Sequence, residues 1–117
     1  DHRFEKWANF PAARKRLLDL FSQNSIQNLV MISGDRHMAE ISKISLEGLD
    51  QPVFEVTSSS LNAPWAADRE EPNQYRVGQK YIDINFGVMT INWDLRKVKM
   101  EVRKVGNMAA IEAEMSF

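Results

Sequence analysis

The 117-residue chain contains no cysteine, and this absence removes several classes of functional site at once. Disulfide bonds, thiolate zinc sites and cysteine nucleophiles are all excluded. Histidine is also scarce, because His2 and His37 are its only copies. His2 lies at the extreme terminus, where we expect disorder. This chain alone is therefore poor in ligands for a metal centre.

Long apolar runs and a strong charge of one sign are missing as well. No apolar run approaches the ~20 residues of a membrane-spanning helix. The formal net charge of -1 gives no overall basic field that would attract nucleic acid or an anionic membrane. Apolar residues make up 44% of the chain and charged residues 26%, the balance of an ordinary globular domain. We therefore predict a single domain over residues 1–117, with neither nucleic acid recognition nor a membrane span.

The apolar pattern predicts an α/β fold with one N-terminal helix and about six strands. The helix begins at Asn9-Phe10-Pro11, and its apolar residues follow at helical spacing for about four turns, which predicts that one face packs on a sheet. The six strands are predicted over 29–32, 39–46, 53–57, 81–86, 88–93 and 98–102. The last two alternate apolar and polar residues across a short turn, which is typical of an antiparallel hairpin. A long loop is predicted over 62–80, and the tail is predicted as a short helix over 108–115 or as a frayed end.

The strongest candidate site is the turn that follows the first predicted strand, Gly34-Asp35-Arg36-His37. Glycine allows a sharp turn and a close approach to a ligand. Asp35 offers an oxygen ligand and His37 a nitrogen ligand, a pair that suits a hard or borderline metal ion. The alternative is an ordinary turn aspartate beside a surface histidine, and the pattern alone leaves both interpretations open.

Other polar residues could add to such a site. Ser59 and its serine neighbours follow the third predicted strand and could bind phosphate, or could simply end the strand. Arg36 could stabilise phosphate charge or face solvent. The remaining acidic residues that could join a metal site are better explained as solvated charges of strands or turns. These are Glu40, Glu55, Asp83 and Asp94.

The order of several blocks resembles the C-terminal part of the PhoD-like alkaline phosphatase D family of calcineurin-like metallophosphatases. The most specific block is Ser33-Gly34-Asp35-Arg36-His37, and Glu55-Val56-Thr57-Ser58-Ser59-Ser60 supports it by order and spacing. Further matching positions are Trp7, Phe10-Pro11, Arg14, Arg16-Leu17-Leu18 and Asn85-Phe86-Gly87. The resemblance spans nearly the whole chain.

The resemblance implies the C-terminal portion of a four-layer αββα metallophosphatase sandwich, with metals at the sheet edges. It implies hydrolysis of phosphomonoesters or phosphodiesters with divalent or trivalent metal ions, for which Fe, Ca, Mn and Zn are candidates. His37 and Asp35 would be the catalytic metal ligands, with Asp35 binding directly or orienting another ligand. The resemblance adds nothing for Arg36, where the family varies, so Arg36 and Ser59 remain candidates for binding the phosphate ester on the character of the residues. The family's earlier aspartate and asparagine ligand blocks have no counterpart in these residues.

Two expectations follow about function and assembly. A chain with so few ligands is either part of a larger phosphatase or a non-catalytic structural or interaction domain that retains the fold. By resemblance, the larger phosphatase would be exported, to the periplasm or the outside of the cell. Half of a sandwich would also expose a sheet edge or an apolar face. We therefore predict a homo-oligomer that forms through that surface.

Overall fold

A computed structural model describes residues 5–65 and 70–117. Within them, one α-helix precedes seven strands that form two sheets, so the α/β class with a single N-terminal helix is confirmed. A single 3-10 turn at Trp7–Asn9 precedes the helix. The elements are α1 (Pro11–Gln23), β1 (Val30–Ser33), β2 (Ala39–Ile44), β3 (Val53–Ser58), β4 (Arg76–Tyr81), β5 (Asn85–Asn92), β6 (Lys97–Lys104) and β7 (Met108–Ser116).

The first sheet has the strand order β1-β3-β2-β4. Strands β1 and β3 are parallel, so their carboxyl ends meet at one edge, with Ser33 opposite Thr57. The hydroxyl groups of these two residues hydrogen-bond across the strands at 2.7 Å. The candidate turn leaves β1 at this edge, next to the serines that follow β3.

The second sheet is an antiparallel meander, β5-β6-β7, and the main core lies between the two sheets. Val98, Met100 and Val102 alternate along β6 and are buried, as the apolar pattern predicted. Buried residues of the first sheet complete the cluster. They are Ala39, Ile41, Phe54 and Val56. The four-layer arrangement of the whole family fold stays a prediction, as does the single-domain assignment of residues 1–117.

Two parts of the chain that were expected to be loop or helix are strands instead. The tail predicted as a helix over 108–115 is the strand β7, and the predicted loop over 62–80 contains most of β4. Alanine, glutamate and methionine favour helix locally, but pairing with β6 buries Ile111 and Met115, and this packing outweighs the local preference. The strand count is therefore seven, and the chain ends in antiparallel strands.

Helix α1 begins with Pro11 at its first turn, as predicted, but it contributes no fully buried residue. Leu17, Leu18 and Phe21 are half-buried, and Leu20 is exposed. The apolar face expected to pack on a sheet is therefore only partly covered in the described part of the chain.

The outer face of the second sheet carries a charged cluster centred on Glu101, and we predict that it makes stability sensitive to acid. The hydrogen bond from Arg103 at 2.9 Å holds the pKa of Glu101 below its usual value. Burial of the carboxylate acts in the opposite direction and raises this pKa, whereas Lys99 at 3.2 Å lowers it further. A carboxyl with a lowered folded pKa stabilises fully above its ordinary pKa, and this contribution is lost as the pH falls through the folded value. Glu101→Gln should therefore flatten the acid limb of the curve of unfolding free energy against pH.

Urea unfolding near neutral pH and in mild acid measures this effect. The wild-type chain should lose more stability between the two conditions than Glu101→Gln does. Equal losses in the two proteins would contradict the prediction.

Candidate metal centre

The turn after β1 is built by two non-glycine residues in the left-handed backbone region. Asp35 has φ 63° and His37 has φ 52°, whereas Gly34 is not in this region. The sharp change of direction therefore comes from Asp35 and His37 rather than from Gly34, contrary to the expectation from sequence. Each left-handed residue costs about 1–2 kcal/mol, so contacts around the turn must offset the strain.

The imidazole of His37 is oriented by the loop that follows β3. Its Nδ1 lies 2.5 Å from the carbonyl oxygen of Ala63, and the backbone N–H of Trp65 donates to the carbonyl oxygen of His37 at 3.1 Å. A carbonyl oxygen only accepts hydrogen bonds, so in the neutral ring Nδ1 carries the proton and Nε2 keeps its lone pair. This is the arrangement in which a histidine binds metal through Nε2. His37 therefore fits the role of a metal ligand.

Asp35 lies on the exposed side of the same turn. Its carboxylate makes no hydrogen bond or ion pair with any of the residues in 5–65 and 70–117. An exposed, uncommitted carboxylate close in sequence to an available imidazole fits a metal that accepts mixed oxygen and nitrogen ligands.

Ser59 fastens the turn to the end of β3. Its hydroxyl oxygen accepts the backbone N–H of Arg36 at 3.0 Å, and the same hydroxyl donates to the carbonyl oxygen of Met38 at 3.1 Å. The backbone N–H of Ser59 also points to that carbonyl at 3.3 Å. Ser59 thus supports the strained turn from both of its sides.

The guanidinium of Arg36 points into a mostly buried network of four charged side chains. It is paired with the carboxylate of Glu71, and it lies 3.9 Å from Glu40. Arg76 contacts Glu40 at 2.7 Å and donates to the backbone carbonyl of Glu71 at 2.8 Å. All four side chains are less than one-fifth exposed.

This network is not apparent from the sequence, and the interpretation of Glu40 as a solvated strand charge is wrong. Glu40 is buried because Arg36 and Arg76 neutralise it from two sides. Arg36 and Glu71 lie 35 residues apart and Glu40 and Arg76 lie 36 apart, so no local pattern reveals these two pairs; only Arg36 and Glu40 are four residues apart. The predicted position of Glu40 on a strand is confirmed.

No further ligands gather at the turn among the described residues. Glu55 is half-buried on β3, and Asp83 and Asp94 are exposed. Within 5–65 and 70–117, no group of three or more histidine, cysteine, aspartate or glutamate side chains could hold a metal ion. His2 lies outside the described residues. The turn therefore presents two candidate ligands, Asp35 and His37.

Comparison with protein families identifies the family of this chain. The sequence model of the PhoD-like phosphatase family matches residues 1–106, which include the turn, the serines after β3 and most of both sheets. The chain belongs to the PhoD-like phosphatase family. Comparison with curated proteins and with solved structures gave no match.

Membership of the PhoD-like phosphatases confirms the resemblance and sets the broad function. It indicates a phosphatase-type activity on a phosphate ester, in a family that is generally metal-dependent. Among the described residues, no helix is long and apolar enough to cross a membrane. In this PhoD-like chain the expected metal ligand lies at the edge of the sheet where β1 and β3 end together.

Proposed function

We propose that the chain supplies one side of the metal centre of a phosphohydrolase of the alkaline phosphatase or phosphodiesterase type. The hydrogen bond between Nδ1 of His37 and Ala63 carries the proposal, because it leaves Nε2 available at the sheet edge. The left-handed backbone of Asp35 and His37 supports it, because strain of this kind concentrates at functional sites.

Each residue of the turn has a distinct proposed role. His37 binds the metal through Nε2, and Asp35 either binds it or orients another ligand. A metal held here would polarise a phosphoryl oxygen of the substrate. One nitrogen and one oxygen donor are compatible with Fe, Mn or Zn, and the carboxylate with Ca as well, so the donor set does not choose among the four.

Arg36 and Ser59 are proposed to face the phosphate ester, and both already have protein partners. Arg36 is engaged with two carboxylates, and the hydroxyl of Ser59 both accepts and donates a hydrogen bond. Either residue would have to exchange one of these contacts for a phosphate oxygen. Substrate binding by the pair therefore stays a prediction.

The other metal ligands are proposed to come from aspartate and asparagine blocks that precede these residues in a larger enzyme. The proposal follows from the absence of a three-ligand cluster in 5–65 and 70–117. The genomic reading frame upstream of the Asp1 codon tests it. A continuous frame that encodes those blocks would support the proposal, and a stop codon close to Asp1 would contradict it.

We expect the 117-residue chain alone to hydrolyse p-nitrophenyl phosphate only weakly, because the two candidate ligands found among the described residues do not complete a two-metal centre. The assay compares the wild-type chain with His37→Ala in the presence of each candidate metal. Activity close to the buffer rate in both proteins is the expected result. Robust metal-dependent hydrolysis that His37→Ala abolishes would overturn the expectation.

A non-catalytic structural or interaction role is the second candidate function, and the small number of ligands favours it. In that case His37 would bind no metal even in the larger protein. Metal binding at His37 discriminates between the two functions, because only the phosphatase requires it.

The prediction of a homo-oligomer has support in exposed apolar surface. Among the described residues β1 pairs only with β3, which leaves its other edge open. Ile32 on that strand is 76% exposed, and Trp93 after β5 is 72% exposed. Open edges and apolar patches favour association. Sedimentation velocity at high protein concentration should show a dimer or larger species, and a single monomeric boundary would contradict the prediction.

A further inference from the structure

The loop between β3 and β4 contacts the candidate metal turn at two separate places. At the first, Ala63 and Trp65 bond to the side chain and backbone of His37. At the second, Glu71 pairs with Arg36, the residue directly before His37. Ala63 and Trp65 therefore hold His37 directly, and Glu71 reaches it through the neighbouring Arg36.

The second contact is much better shielded than a surface ion pair. The side chains of Arg36 and Glu71 are 19% and 12% exposed, and the sheet residues Glu40 and Arg76 lie behind them. Arg76 also donates to the backbone carbonyl of Glu71, so the loop is fixed to the sheet through main chain and side chain. An ion pair in such surroundings is screened far less than an exposed one.

The network is balanced in charge and needs no ligand to complete it. Within 5–65 and 70–117 it contains two guanidinium groups and two carboxylates, and each group has a partner of opposite sign. Nothing in it therefore calls for a bound anion. Its placement beside the two left-handed residues instead indicates a supporting role, since the strained turn persists only if its surroundings hold it.

We propose that Glu71 is a positioning residue for His37, acting through the neighbouring Arg36 so that Nδ1 meets the carbonyl of Ala63. The inference rests on the proposed function in one respect: the oriented imidazole of His37 would serve to bind a metal at Nε2. The orientation of the imidazole is a property of the chain itself and can be measured without metal.

The test is NMR of the imidazole nitrogens of His37 at a pH where the ring is neutral, in the metal-free wild-type chain and in Glu71→Ala. The wild-type ring should be mainly the Nδ1–H tautomer because Ala63 accepts that proton. Glu71→Ala should shift the ring towards the Nε2–H tautomer. It should also speed hydrogen exchange of the Trp65 backbone N–H by about tenfold or more, because its acceptor is the carbonyl oxygen of His37 and this bond opens more often when the turn is less well held.

Glu70→Ala is the matched control, because Glu70 is the exposed neighbour of Glu71 in the same loop. The control should leave both the tautomer and the Trp65 exchange rate unchanged. If Glu71→Ala fails to fold, Arg36→Lys provides the test, since lysine keeps the charge but lacks the planar fork of donors. The proposal is overturned if Glu71→Ala, or Arg36→Lys in its place, leaves both the His37 tautomer and the Trp65 exchange rate unchanged, as Glu70→Ala should.

A zinc titration of the same samples separates this inference from the proposed function. A tautomer shift in Glu71→Ala together with zinc affinity weakened by about 10–100-fold supports both. A tautomer shift in a chain whose His37 never responds to zinc supports the positioning role and contradicts the metal role. Zinc binding at His37, combined with an unchanged tautomer in Glu71→Ala, supports the metal role and contradicts the positioning role.

Discussion

Replacing Glu40 with alanine is expected to lower the free energy of unfolding by about 3–5 kcal/mol. Glu40 lies between Arg76 at 2.7 Å and Arg36 at 3.9 Å, and its side chain is 10% exposed. Its removal would leave two guanidinium groups in a poorly solvated place, with Glu71 as their one remaining carboxylate among the residues that the structure describes. An uncompensated charge of this kind costs more than the ion pair itself contributes.

Glu114→Ala is the matched control for Glu40→Ala. Glu114 also forms a close ion pair, with Lys97 at 2.5 Å, but both side chains are at least 43% exposed. Exposed pairs contribute about 0–1 kcal/mol. Urea unfolding of the two variants measures the difference, and similar small losses in both would show that the network around Glu40 is effectively solvated.

Replacing His37 with alanine is expected to weaken zinc binding to the chain by at least about tenfold. Loss of residues that only orient a ligand costs 10–100-fold in affinity, and the loss of the ligand itself should cost no less. Calorimetric titration with zinc measures the change. Circular dichroism of the variant checks that loss of the bond to Ala63 leaves the fold intact.

His2→Ala is the matched control, because it removes the other histidine of the chain. Zinc affinity should stay close to the wild-type value in His2→Ala and should fall modestly in Asp35→Asn. If His2→Ala weakens binding as much as His37→Ala, zinc is bound without selectivity for the turn.

The parts of the fold that the sequence predicted correctly are those fixed by local patterns. Alternation along β6 predicted the buried side chains Val98, Met100 and Val102, and the apolar run before Gly34 predicted β1. These patterns work because the side chains of a strand point to alternating faces. The family blocks also predicted the phosphatase membership that the family comparison confirms.

The parts that the sequence did not predict depend on partners distant along the chain. The tail became a strand because β6 offers an edge to it, and β4 formed because β2 does. Glu71 and Arg36 meet across 35 residues, so their pairing is invisible to any local rule. Left-handed backbone at Asp35 and His37 is equally hidden, because glycine is the residue that local rules expect there.

Anomalous diffraction from zinc-soaked crystals of this chain is the most direct test of the claim that His37 is the metal ligand. We expect a zinc peak at the turn after β1, about 2.0–2.1 Å from Nε2 of His37, with Nδ1 still bonded to Ala63. A peak bonded to Nδ1, or zinc peaks elsewhere with none at His37, would contradict it.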